Sequence, residues 1–249
     1  MTRLYYDLHL HSCLSPCGDA DMTPNNIVNM AQILGQDMIA LTDHNTSKNC
    51  PACAKVAQEA GILFIPGMEL CTCEEAHIVC LFPDVEAALA FSDEVELRTP
   101  FLKNDPAKLG EQNILDENDE KTGEIEGSLL MSSFIGIDDI FELADEFRGV
   151  AYPAHIDRDS FSVISSLGVF PEYSGFTACE ITSKGDIEAL TRDNPCIADM
   201  PKLLSSDAHY LENMNERGAY VELPERSAQC LIDAIRGKVN AVWSRGTRQ

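Results

Sequence analysis

Seven short apolar runs, at residues 5–10, 38–42, 62–66, 78–82, 150–154, 178–182 and 202–205, predict buried β-strands. Stretches of helical period lie between them. Thr23-Pro24 supplies an N-cap and a proline for the first helical position, which starts a helix over residues 25–34. Gly35 and Gly61 fall where helices should stop. Such alternation predicts an α/β fold: a parallel sheet covered by helices, open or closed into a barrel. Residues 97–130 break the rhythm. This stretch is polar, and Asp116-Glu117-Asn118-Asp119-Glu120-Lys121-Thr122-Gly123-Glu124 is acidic with a turn signal, between Ile114-Leu115 and residues 125–130. It predicts a hairpin insertion, read as a solvated excursion rather than a lid. No repeat or linker divides the chain, so residues 1–249 are expected to form one domain containing that insertion.

A chain of 249 residues, 45% of them hydrophobic, is long enough for a sizeable core and rules out collagenous or wholly disordered structure. Charge changes the picture more: 41 acidic against 18 basic residues give a formal net charge of −23. A surface of that sign repels phosphate backbones at long range, so no duplex nucleic acid is expected as a partner. Bound metal ions, often the largest local charges, would reverse the sign only nearby. No apolar run approaches the roughly 20 residues that span a bilayer, and residues 1–7 lack the apolar stretch of a secretory signal. The expectation is a cytoplasmic protein with no membrane partner, whose ten cysteines are mostly reduced thiols.

The candidate chemistry lies at the strand ends. His9 and His11 close the first predicted strand, and residues two apart on a strand face one side, so both imidazoles can reach one ion. His44 follows the second strand, Glu69 the third, His155 the fifth, and Asp207 and His209 the last. His77 is the exception, lying at the start of the fourth. The C-terminal mouth of a parallel α/β sheet or barrel is where sites are built, and imidazole with carboxylate suits zinc, manganese or iron. Eight ligands exceed what one ion takes, so two or three divalent ions are expected, with Glu69 as a bridge. Clustered cations create hydroxide at neutral pH and neutralise charge on a reacting group. Several anionic oxygens for such ions to hold favour a phosphoester over an amide.

Asp7-Leu8-His9-Leu10-His11-Ser12, Leu41-Thr42-Asp43-His44, Gly67-Met68-Glu69, Pro153-Ala154-His155 and Ser206-Asp207-Ala208-His209, in this order, resemble the PHP (polymerase and histidinol phosphatase) family. The resemblance implies a distorted (β/α)7 TIM-like barrel with a trinuclear centre at its C-terminal face. It assigns His9, His11, Glu69 and Asp207 to a first ion, and Glu69, His77 and His155 to a second. The third would take His44, His209 and one ligand from the loop after His11. Many relatives carry His or Asp five or six residues past the second histidine of that first motif, where this chain has Pro16 and Cys17. Asp19 is the expected replacement, with Cys17 and Asp21 as alternatives. His155-Ile156-Asp157-Arg158 resembles the His-Pro-x-Arg element of small-molecule phosphoesterases of the family, which makes Arg158 a phosphate clamp; Lys184 is a second candidate for substrate binding. Arg158, Asp43 and His209 are the expected catalytic residues, with Asp43 orienting a ligand or the nucleophile. The implied reaction is in-line attack of a metal-bridging hydroxide on a small phosphate ester, with phosphate as product. A metal-dependent amide or imide hydrolase, or a non-catalytic regulatory module, are the competing classes. Cys50-Pro51-Ala52-Cys53 and Cys71-Thr72-Cys73 lack a matched pair of metal-knuckle spacings and read as thiols.

Overall fold

The first apolar run becomes strand β1 (Thr2–Leu10) in a computed structural model that describes residues 1–244. From Tyr6 onward β1 is buried on both faces, as a strand covered on two sides must be. Helix α1 (Pro24–Ile33) starts as its cap predicts: the Thr23 side chain accepts a hydrogen bond from the Asn26 amide, and Pro24 occupies the first turn. Strand β2 (Met38–Leu41) returns parallel to β1. Helix α2 (Cys50–Ala60) stops at Gly61, whose φ of 73° is left-handed.

Strand β3 (Leu63–Cys71) pairs parallel with β2 and runs five residues past the predicted end, through Pro66 and Gly67. Those two residues read as a strand terminator in sequence. Here Gly67 instead permits close packing, since a Cβ there would lie 2.8 Å from the Cys80 carbonyl oxygen of the neighbouring strand. Strand β4 (His77–Leu81) departs from the expected parallel arrangement. Only residues 72–76 connect it to β3, too few for a crossover, so the chain turns back and β4 runs antiparallel.

Helices α3 (Val85–Leu97) and α4 (Pro106–Leu109) lead to a short antiparallel pair, β5 (Asn113–Leu115) and β6 (Lys121–Glu124). This segment is not freely solvated on its inner side. Asn49 holds Asn113 and Leu115 by backbone-directed hydrogen bonds, Asn45 donates to the Leu129 carbonyl, and the Asp119 carboxylate accepts from Thr23 Oγ1 at 2.7 Å. Helix α5 (Ile137–Glu146), strand β7 (Val150–Pro153), helix α6 (Val163–Leu167), strand β8 (Cys179–Ile181), helix α7 (Ile187–Asp193) and strand β9 (Lys202–Leu204) follow. Strand β10 (Tyr220–Leu223), helix α8 (Ala228–Ile235) and strand β11 (Val242–Trp243) complete the order.

The result is an α/β fold with a curled seven-stranded sheet in the order β11-β10-β1-β2-β3-β4-β7, plus the parallel pair β8–β9. That pair is bonded to the sheet from both sides. The Ile156 amide beyond β7 donates to the Glu180 carbonyl, and the His11 amide beyond β1 donates to the Ala208 carbonyl. Leu4, Tyr6, Met38, Ile65, Val79, Tyr152 and Leu203 pack together inside the curl. Burying each such aliphatic side chain contributes about 1.5–3 kcal/mol before entropy is counted. This core sets the strand ends, and the strand ends set the site. Among the described residues, no helix is long and apolar enough to cross a membrane.

Candidate metal centre

His9 lies in β1 and His11 just beyond it, His44 follows β2, Glu69 lies in β3, His155 follows β7, and Asp207 and His209 follow β9. All are carried to one rim. Because β4 is reversed, its first residue, His77, stands at that same rim opposite Cys71. The apparent exception in the sequence pattern is therefore an effect of strand direction. His155 and Asp207 carry left-handed backbone, with φ of 28° and 52°, a conformation costing on the order of 1–3 kcal/mol for a non-glycine residue. The Glu180 carboxylate helps to hold His155 there, accepting its amide at 3.1 Å.

Glu69 is at the centre and only 1% exposed. Its Oε1 lies 2.9 Å from His77 Nδ1, 3.1 Å from His155 Nε2 and 3.2 Å from His9 Nε2. Its Oε2 lies 2.9 Å from His44 Nδ1 and 3.4 Å from His11 Nε2. Asp207 Oδ1 is 3.0 Å from His11 Nε2 and 3.3 Å from His9 Nε2. Three groups have ligand atoms within 4.8 Å of one another: His9, His11, Glu69 and Asp207; His44, Glu69 and His77; and His11, His44 and His209. Glu69, His11 and His44 each belong to two of them. Glu69 Oε2 and Asp207 Oδ1 are buried without a directed hydrogen bond, although imidazole nitrogens crowd them. Buried oxygens rarely go unsatisfied, and close approach without directed bonding is what ligand atoms around cations show. The donor set fits divalent metal ions.

Outside the ligand atoms, further groups orient the imidazoles. His9 Nδ1 donates to the buried Glu180 carboxylate at 2.9 and 3.1 Å, which leaves Nε2 free to face the centre. His11 Nδ1 donates to Ser15 Oγ, and Ser15 Oγ donates in turn to Asp43 Oδ1 at 2.6 Å. Asp43 also accepts from the Ser12 amide and hydroxyl, both at 2.7 Å. The structure thus places Asp43 one hydroxyl away from a ligand rather than among the ligands. Glu180, Ser12 and Ser15 escaped the sequence reading. The available signal was a carboxylate in the middle of an apolar strand, since a charge there is almost never buried without a partner. Glu180→Gln is expected to weaken metal affinity about 10- to 100-fold with the fold intact, measured by competition against a chelator. An unchanged affinity would remove the orienting role.

Within the cluster the charges of these side chains interlock. Burial acts to raise the Glu69 carboxyl, but His77, His9 and His44 outweigh it and hold Glu69 well below the usual carboxylate range. Asp207 is held low in the same way, its burial overridden chiefly by His9 and His11. Burial acts to lower His9 and His11, yet Glu180, Glu69 and Asp207 raise His9, and Asp207 and Glu69 raise His11. His209 goes the other way: burial and the positive His11 ring, stacked on it at 4.1 Å, lower it to about 3.

Arg158 Nη1 lies 2.5 Å from Asp207 Oδ2, on the side away from the histidines, with its side chain 43% exposed. Asp157 is not its partner, being engaged by the Thr182 amide and hydroxyl. Arg158, Lys184, Ser206 and Asp207 line a cleft of about 910 Å³ that opens beside the centre. Lys184 is exposed in that cleft, which Asp207 also lines. Asp19 joins none of the three groups. Its Oδ1 accepts the Asp21 amide at 2.9 Å, and its own amide donates to the His209 carbonyl. Cys50, Cys53, Cys71 and Cys73 also join none, and burial pushes Cys50 up to about 12.

The profile of the PHP domain matches residues 7–226 of this chain. A 5'-3' exoribonuclease of Haemophilus influenzae is 38% identical over 79 residues, 30% of this chain and 28% of that protein. The lesion-specific endonuclease Q of Pyrococcus furiosus superposes with a TM-score of 0.72 at 18% identity, over 97% of this chain and 58% of that one. An endonuclease Q complex holding a 27-mer duplex with an abasic lesion at its active site superposes with a TM-score of 0.68 at 18% identity, over 96% of this chain and 58% of that one. The chain thus spans less than two thirds of the length of each. These likenesses correct one expectation: a partner limited to a small phosphate ester, with duplex nucleic acid excluded, does not follow from the net charge. The physical reason is range. At physiological salt the Debye length is about 8 Å, so remote acidic side chains are screened while charges at the rim act at contact.

Proposed function

The chain belongs to the PHP domain family, whose metal-dependent phosphoric ester hydrolases define its chemistry, and on that premise we propose that it cleaves phosphodiester bonds of nucleic acid strands. The observation that carries this reading is Glu69 shared between ligand groups beside a cleft lined by Arg158. His9, His11, Glu69 and Asp207, with His44, His77, His155 and His209, would hold the ions. When bound, divalent cations lower the pKa of water and neutralise charge on the phosphoryl oxygens.

The chain's own residues do the rest. Glu180 and the Ser15–Asp43 pair hold His9 and His11 in their ligating orientation. Arg158 offers a planar guanidinium to the charge that develops on phosphorus, from a position already beside Asp207. The Phe161 ring, 49% exposed, stacks on His77 with centroids 4.9 Å apart, and Tyr210, 47% exposed, neighbours His209. Half-exposed rings beside a phosphate site suit stacking with bases, worth about 1–3 kcal/mol each. The exoribonuclease likeness supports a strand substrate, and the cleft is large enough for more than one phosphate group.

The test is a panel of single-stranded RNA and DNA, with and without a 5'-phosphate, and a duplex bearing an abasic site, assayed with manganese- or zinc-loaded protein. Strand cleavage is expected, lost on chelation and restored by metal. Full metal content without turnover of any member, together with hydrolysis of an amide or imide, would transfer the centre to the competing class.

A further inference from the structure

Asn49 stands at the N-cap of α2, yet its side chain makes no capping hydrogen bond. Asparagine at that position ordinarily stabilises a helix by capping it, so this side chain is engaged elsewhere. We infer that Asn49 is a positioning residue for the imidazole of His11, and that through it the β5–β6 insertion helps to aim that ring. The inference rests on the reading that the centre holds metal ions, and not on the reaction proposed for it.

The direction of each hydrogen bond carries the argument. Asn49 Oδ1 accepts the Leu115 amide of β5 at 2.9 Å, and Asn49 Nδ2 donates to the Asn113 carbonyl at 3.3 Å. A backbone N–H only donates and a carbonyl only accepts, so the hairpin fixes which end of the carboxamide is which. The NH2 then faces Ser12 and donates to its Oγ at 2.9 Å. The Leu14 amide donates to the same oxygen at 3.2 Å, which occupies both lone pairs and leaves the hydroxyl proton for Asp43 Oδ2 at 2.7 Å. Asp43 Oδ1 takes the Ser15 hydroxyl proton at 2.6 Å. Ser15 Oγ, its own proton given away, accepts from His11 Nδ1 at 2.9 Å. That bond keeps the proton on Nδ1 and turns the Nε2 lone pair toward Asp207 Oδ1, 3.0 Å away.

Asn49, Ser12, Asp43, Ser15 and His11 are each no more than 1% exposed, so solvent does not stand in for a missing member. His11 belongs to two of the three ligand groups, so its orientation bears on more than one ion. The insertion is thereby joined to the centre by a chain of bonds that runs in one direction from Leu115 to His11.

Asn49→Asp is the discriminating variant. Its carboxylate still accepts the Leu115 amide, but the second oxygen cannot donate, so Ser12 turns its proton away from Asp43. Zinc affinity of the full chain, measured by competition against a chelator, is expected to fall about 10- to 100-fold, with hydrogen exchange of the Leu115 amide unchanged. Ser12→Ala cuts the chain beyond the hairpin contact and should lower affinity by a similar factor. In the wild-type chain, which needs no variant to fold, zinc should slow exchange of the Leu115 amide more than that of the Ile125 amide, which is bonded within the insertion to Gln112, because coupling between two sites is reciprocal. Unchanged zinc affinity in either variant, or equal slowing of the two amides, would overturn the inference. So would an affinity loss in Asn49→Asp accompanied by loss of Leu115 protection, which makes Asn49 an anchor of the hairpin alone. Should Asn49→Asp fail to fold, Ser12→Ala and the wild-type exchange decide. Zinc-loaded protein that shows these shifts yet cleaves no phosphodiester would sink the proposed function and leave Asn49 in its role; a cleaving protein whose variants keep full affinity would do the reverse.

Discussion

Glu69→Gln empties the centre: bound metal falls well below that of the wild-type chain, and phosphodiester turnover drops on the order of a thousandfold or more, about 4 kcal/mol of barrier. The size of the effect follows from where the carboxylate sits. Its two oxygens face five imidazoles at 2.9–3.4 Å. Among the described residues, no other side chain belongs to two groups through an anionic ligand. Glutamine keeps the shape but replaces one oxygen by an NH2 that points protons at nitrogens whose lone pairs must face a cation. Metal analysis and near-ultraviolet circular dichroism separate loss of ligation from loss of fold. A variant with full metal content would show that Glu69 is not a ligand.

Arg158→Ala is the second large effect. The expected result is a fall of about 10²–10³ in kcat/KM, the cost of removing one preorganised donor from developing charge, with metal content within a few-fold of wild type. The guanidinium touches Asp207 through Oδ2, while Oδ1 faces His9 and His11, so its removal leaves the ligand atom in place. Arg158→Lys should recover only part of the loss, because an ammonium cannot make two parallel bonds to a phosphoryl group. Metal loss as the main consequence would mean that Arg158 steadies Asp207 and does not meet the substrate.

Much of this molecule can be read directly. Each of the seven apolar runs overlaps a strand, because a strand covered on both faces needs an apolar stretch. The cap at Thr23 and the stop at Gly61 are local hydrogen-bond and φ requirements, and they appear where the residue types put them. Glu69 lies within β3 and not beyond its end, since Pro66-Gly67 mimics a strand end unless the close approach of Cys80 is known. Strands β10 and β11 are too short and too polar at alternate positions to announce themselves. Net charge misled because it sums over a surface, whereas binding is decided within a Debye length of the rim.

Residue type alone determined which atoms can ligate a cation and that they stand near strand ends, because imidazole and carboxylate chemistry and the periods of strand and helix are local properties. Tertiary structure decided that they meet. Hydrophobic runs carry no direction, so only the short turn at residues 72–76 brought His77 to the rim, by reversing β4. Likewise, only packing could bring Glu180 onto His9, 171 residues away in the chain, because a buried carboxylate finds its partner in space rather than in sequence.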